Sequence, residues 1–97
     1  MRTTIINAIR QKKRLSLRYN GIMRIVEPHA YGATKKGNEL LRCYQVRGGH
    51  DSYTPHDWDL LTVSEITALT DTGEHFACAR PDYRRDDKAM QTIYAQL

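Results

Sequence analysis

Residues 24–49 read RIVEPHAYGATKKGNELLRCYQVRGG. This stretch mixes β-branched residues with three tyrosine or histidine rings (His29, Tyr31, Tyr44) and spaced arginines. Lys36-Gly37-Asn38 interrupts it, and Gly48-Gly49 ends it. Glycine and asparagine tolerate the backbone a tight turn requires, so the stretch predicts a hairpin. In its second half, ELLRCYQVR, side chains alternate between two faces: Arg42, Tyr44 and Val46 on one, Leu41, Cys43 and Gln45 on the other. Pro28 cannot donate to a sheet ladder, so it marks an edge, a bulge or a strand end, with HAYGA resuming the pairing after it. Such a hairpin offers cationic and aromatic groups to an anionic or nucleotide-like ligand.

Outward from the hairpin, the N-terminal side supplies a helix and a strand pair. Ile5, Ile6 and Ile9 in TTIINAIRQKK have helical spacing, with Thr3 or Thr4 as N-cap and an end near Lys12. In RLSLRY, Leu15, Leu17 and Tyr19 alternate with Arg14, Ser16 and Arg18, as in a half-buried strand. Asn20-Gly21 predicts a tight hairpin into IMRIVE. On the C-terminal side, GGHDSYTPHD is a polar loop and WDLLTV a fourth strand. EITALTDTG holds a short fifth strand ending in the turn Asp71-Thr72-Gly73. EHFACARPDYRR reads as irregular and extended. DDKAMQTIYAQL, residues 86–97, reads as a closing helix capped by Asp86 or Asp87, with Met90, Ile93, Tyr94 and Leu97 as its apolar stripe.

The expected fold is therefore mainly β with flanking helices at the N- and C-termini. It is a single domain over residues 1–97, with five short antiparallel strands forming a small barrel or a strongly bent sheet. Its expected core is Ile5, Ile9, Leu15, Leu17, Ile25, Leu41, Cys43, Leu61, Val63 and Ile66.

Composition sets bounds on function. The 97 residues are 40% hydrophobic and carry a net charge of +4. Residues 1–50 hold 11 Lys or Arg against two acids, and residues 51–97 hold four against nine. That asymmetry favours anionic partners, or neutralises itself across one small fold. No apolar run approaches the ~20 residues of a membrane span, and no signal peptide is evident, so a cytoplasmic protein is expected. Cys43 and Cys78 form no CxxC pair and read as small core residues without a disulfide.

His29, His50, His56 and His75 lack the paired spacing of metal ligands, so neither metal nor cofactor is expected. There is no nucleophile elbow, Gly-rich phosphate loop or HExxH, and the chain reads as no enzyme, with no catalytic residues. Asp57 and Asp59 flank Trp58 and read as solvent-facing. The run Arg10, Lys12, Lys13, Arg14 reads as solubilising.

Several residues, in this order and spacing, carry a family resemblance. A helix leads into a basic strand ending at Tyr19, followed by Arg24-x-Val26-x-Pro28. A strand then bears Tyr44 ahead of a glycine, and Trp58 opens a strand followed by Val63-x-x-Ile66. Over residues 4–80 the chain resembles the WYL-domain family. The resemblance implies a small Sm-like β-barrel. It also implies a role as a ligand-sensing module of the kind found behind winged-helix DNA-binding domains in bacterial transcription regulators, including regulators of phage defence, with a nucleotide or nucleic acid as ligand. No winged-helix segment is read ahead of the domain, which is expected to act as a solo module.

The family's Trp-Tyr-Leu falls on Cys43-Tyr44-Gln45, and two family arginine positions fall on Asp59 and Glu65. Weaker or narrower binding follows. Arg24 and Tyr44 match family positions, and with Arg42, Arg47 and Trp58 they form the expected ligand site. Guanidiniums would hold phosphate and Tyr44 would stack a base. The rival expectation is an interaction module that forms a homo-oligomer or docks a partner regulator through its strand edges and terminal helix. Clustering of Arg24, Arg42 and Tyr44 on one exposed face favours the ligand. Pairing of Arg42 with Glu39 or Glu65 favours the partner.

Overall fold

The computed structural model describes residues 1–49 and 57–97. Helix α1, Arg2–Gln11, turns Ile5, Ala8 and Ile9 inward. Met1 occupies its N-cap, so neither threonine has that role, and Lys12 stops it in a left-handed conformation. The β1 strand, Lys13–Tyr19, follows at once and buries Leu15 and Leu17. Asn20 and Gly21 both have positive φ, 53° and 74°. That is the backbone of the tightest hairpin turn, and it sets Tyr19 opposite Ile22 at the start of β2, Ile22–Ala33.

The long β2 strand organises the sheet. On one side it pairs along nearly its whole length with β3, Glu39–Gly48. On the other, residues 22–26 pair with β1. The ladder to β3 slips between Pro28 and Ala30, leaving His29 as the extra residue of a bulge. A proline without an N–H sits next to that interruption, as its chemistry requires.

Strand β4, Trp58–Thr62, lies outside β3. A 3-10 turn, Val63–Glu65, leads to β5, Thr67–His75, which pairs with β1. Every pairing is antiparallel, in the order β4-β3-β2-β1-β5. The Cα extents of the molecule, 30 × 27 × 25 Å, are nearly equal. Among the described residues no ladder joins β4 to β5, and the sheet is not closed.

The expected C-terminal helix does not form. Asp86 has a left-handed φ of 60°, and Thr92–Gln96 is a sixth strand, β6, paired with residues 30–33 of β2. Two causes act together. Beyond the end of β1, that edge of β2 has open hydrogen-bonding groups. Thr92, Ile93 and Tyr94, β-branched or aromatic, suit a pleated surface. Close approach at Gly32 fits the arrangement, since a Cβ there would lie 2.1 Å from the Thr92 carbonyl oxygen. Asp87 caps a turn instead of a helix, its carboxylate accepting from the Ala89 N–H at 2.9 Å.

The core contains Ile5, Ile9, Leu15, Leu17, Leu41, Cys43, Leu61, Val63 and Ile66, as read from the sequence, together with Val26 and Tyr31. Ile25 is only half-buried, because β2 turns Val26 inward in its place. Cys43 is buried and Cys78 exposed, both as free thiols, so only Cys43 is a core residue. No helix among the described residues is long and apolar enough to cross a membrane.

Candidate ligand site

The sheet separates the residues that the sequence grouped. Arg24 follows the inward register of Val26 and is only 3% exposed. Its guanidinium donates to the Tyr19 carbonyl at 3.2 Å, lies over the Tyr19 ring, and comes within 3.9 Å of the Asp59 carboxylate. Arg42 and Tyr44 occupy the opposite face of β3 from buried Leu41, Cys43 and Gln45. Arg24 therefore does not converge with Arg42 and Tyr44. Asp59, read as solvent-facing, instead faces Arg24 from β4. Arg47 is exposed and holds Glu74 of β5 through two contacts of 3.0 and 3.1 Å.

Tyr44, opposite Trp58 in the ladder, packs edge-on to its ring at 5.4 Å between centroids. Neither is fully open to solvent, because the chain after β5 crosses this outer face. Arg80 is the main fastening. Its guanidinium bonds the buried Glu27 carboxylate at 2.7 and 3.2 Å and lies over the Tyr44 ring, while its backbone N–H donates to His29 Nε2 at 3.0 Å. Since His29 Nε2 accepts, its Nδ1–H is the donor, to the Glu27 carbonyl at 2.8 Å, and the ring is neutral.

Trp58, Phe76 and Tyr83 surround the fully buried His29 with centroids at 4.6, 5.7 and 5.0 Å. The Trp58 indole N–H donates to the Pro81 carbonyl at 3.3 Å, which fixes the ring against the crossing segment.

Charge on this face is balanced group by group. Burial alone would raise the Glu27 pKa, but hydrogen bonds from Arg80 and Arg14 outweigh it and hold the carboxyl below its ordinary range. Burial lowers the His29 pKa and keeps the imidazole neutral. Arg42 is taken by Asp87, Nε to Oδ2 at 2.7 Å and the terminal nitrogen to Oδ1 at 3.4 Å, which lowers the Asp87 pKa. The acid that pairs with Arg42 is thus neither Glu39 nor Glu65. Glu39 pairs with Arg2, and Glu65 accepts from the Tyr19 hydroxyl.

Beside this pair lies an open cleft of about 760 Å³, lined by Arg42, Trp58, Tyr83, Arg84, Arg85 and Lys88 among others. Trp58 and Tyr83 are close to parallel, 25° apart with centroids at 6.0 Å. Arg84, Arg85 and Lys88 are exposed. Asp82, Asp86 and Asp87 also line the cleft, so its four cations exceed its acids by one, and its flat rings beside exposed arginines suit an anion carrying an aromatic ring.

Of the residues read from sequence, Arg42 and Trp58 line the cleft, Tyr44 packs beneath Arg80, and Arg24 and Arg47 lie elsewhere. Glu27, His29, Arg80, Tyr83, Arg84 and Arg85 were not read as site residues. The run Arg80-Pro81-Asp82-Tyr83-Arg84-Arg85 carries the relevant signal, a tyrosine among arginines. Among the described residues no group of His, Cys, Asp and Glu could hold a metal ion. His50 and His56 lie outside the described residues. Compared with protein-family models, curated proteins and solved structures, the chain matches none.

Proposed function

We propose that this chain is a non-catalytic binding module of the WYL kind, taking a nucleotide or single-stranded nucleic acid in the cleft beside Arg42 and acting as a sensor or adaptor in transcription regulation or phage defence. The observation that carries the reading is the cleft itself, where Trp58 and Tyr83 stand beside Arg42, Arg84, Arg85 and Lys88. An N-terminal helix ahead of five successive antiparallel strands in the order β4-β3-β2-β1-β5, sharing one core, supports an Sm-like barrel as the underlying fold. Guanidiniums would grip phosphate oxygens, and the rings would take a base by stacking, worth about 1–3 kcal/mol per base. Arg24 and Arg47 leave the proposed ligand set, since one is buried beside Asp59 and the other is paired with Glu74.

Titration of labelled single-stranded DNA, RNA and a cyclic dinucleotide at low and physiological salt tests this reading. Binding at low salt should weaken as salt rises, because phosphate contacts release counterions. Joint substitution Arg84→Ala and Arg85→Ala should abolish most of it. A chain that binds none of the three at low salt would favour the second reading, a protein-interaction module. That reading draws on the two ends of the strand order, β4 and β5, and on Leu60 of β4, which is 38% exposed. Sedimentation of the chain alone, showing a defined oligomer, would support it.

A further inference from the structure

We infer that Asp87 is an internal stand-in for the ligand's phosphate, so that an anion entering the cleft takes Arg42 from it and loosens the turn that Asp87 caps. This rests on reading the cleft as a phosphate site. The geometry is that of a substitute. Asp87 meets Arg42 through two oxygens, on Nε at 2.7 Å and on a terminal nitrogen at 3.4 Å, and a phosphate can present the same pair of oxygens to a guanidinium. The other acids lining the cleft are placed differently. Asp86 is bound to Gln96, whose Oε1 accepts from its N–H at 2.8 Å and whose Nε2 donates to its carboxylate at 3.1 Å. Asp82 is exposed at the rim. Asp87 is the acid that occupies an arginine of the site.

The contact is also one the fold can release. The Arg42 side chain keeps 30% of its surface in water, so an anion can approach before Asp87 departs. The crossing segment is fastened on both sides of the turn by other means. Arg80 holds Glu27 and His29 before it, and the Gln91 N–H donates to the Ala33 carbonyl at 2.8 Å after it, where β6 begins. Between these anchors the turn depends on Asp87, whose carboxylate accepts from the Ala89 N–H and whose carbonyl accepts from the Met90 N–H at 3.0 Å. A ligand that replaces the Asp87 carboxylate on Arg42 therefore frees residues 87–89, while Asp86 stays tied to Gln96 and the segment stays attached. A protein whose ligand changes the exposure of one surface turn can report binding to a partner.

Competition of this kind lowers the apparent affinity of the closed form. Asp87→Asn removes the charge but retains an oxygen for the Ala89 N–H, so the turn keeps its cap. Asp82→Asn removes the same charge from the same cleft and breaks no contact with Arg42. The experiment titrates a short labelled thymidine oligonucleotide, and in a second arm a cyclic dinucleotide, against the intact chain and both variants. Hydrogen exchange of the intact chain is followed with and without saturating oligonucleotide.

The expected result is tightening of roughly three- to tenfold in Asp87→Asn, the scale of a partly exposed ion pair with an added charge effect. Asp82→Asn should change affinity by less than half as much on a logarithmic scale, and exchange at the Ala89 and Met90 amides should quicken on binding. Equal tightening in the two variants would reduce Asp87 to a nearby charge and overturn the inference. So would weaker binding in Asp87→Asn, or slower exchange at those amides in the complex. Binding by Asp87→Asn alone would support the inference in its strongest form. Failure of all three proteins to bind either probe would instead remove the phosphate-site reading, and the inference with it.

Discussion

The two faces of β2 and β3 are held by different physics. On the inner face, Val26, Leu41 and Cys43 pack against Leu15 and Leu17 of β1 and Ile5 and Ile9 of α1. The contact among these side chains is apolar and non-directional, although the same face also buries Arg24 and Gln45; burial raises the pKa of the Cys43 thiol well out of its ordinary range, so it stays neutral. On the outer face, buried Glu27 and His29 are satisfied one bond at a time by Arg14, Arg80 and the aromatic rings around them. The inner face tolerates any good filling of its volume. The outer face requires particular partners, because a buried polar group without one costs about 1–3 kcal/mol. The proposed ligand cleft lies on the side built by specific pairing, where exchanging one partner for another is a local event.

Three measurements press on that contrast. The largest effect belongs to the inner face. Leu17→Ala, at a fully buried position, should cost about 2–5 kcal/mol in urea unfolding, from lost transfer energy and the cavity left behind. A loss below about 1 kcal/mol would mean that the inner face is not the tightly packed one.

Glu27→Ala should cost less, about 1–3 kcal/mol, although the carboxylate it removes is fully buried. Its partners Arg14 and Arg80 keep 25% and 36% of their side-chain surface in water, so each can rehydrate when the carboxylate goes. The same variant should also open the crossing segment to trypsin at Arg84 and Arg85. Unchanged proteolysis would show that the segment's other contacts hold it without Glu27.

The smallest effect is a pH response whose near-neutral limb belongs to the outer face. His29 has its pKa lowered from 6.5, and Glu27 has its pKa lowered from 4.5. A lowered pKa means that the unfolded chain binds the proton more readily. Each group therefore adds stability above its ordinary pKa and loses that contribution as pH falls through its folded value. The groups facing His29 are the Glu27 carboxylate, the Arg80 guanidinium and the rings of Trp58, Phe76 and Tyr83. The thermal midpoint should thus decline first as pH drops below about 6.5, through His29, and again below about 4.5, through Glu27 together with Glu39, Asp71, Glu74 and Asp87, whose pKa values are lowered as well. His29→Gln should flatten the first decline and leave the second. A midpoint constant from pH 7 to 5 in the parent chain would contradict the buried neutral imidazole.

Elements whose signals are local were legible along the chain. Three isoleucines at helical spacing specified α1, Asn20-Gly21 specified the first hairpin, and strict alternation in RLSLRY and ELLRCYQVR assigned the inward residues of β1 and β3. Pro28 marked an edge, a bulge or a strand end, and the fold made it a bulge at His29. Tertiary structure decided what depends on partners distant in the chain. Thr92–Gln96 carries both a helical apolar spacing and β-favouring residues, and the vacant edge of β2 beyond β1 resolved it as a strand. The split of Arg24 from Arg42 and Tyr44 depended on the register of β2, which the mixed pattern around Pro28 leaves ambiguous. The Arg80–Glu27 contact spans 53 positions. Neither residue carries a local sign of it, because an arginine in an irregular stretch and a glutamate in a strand both read as solvent-facing until folding brings them together.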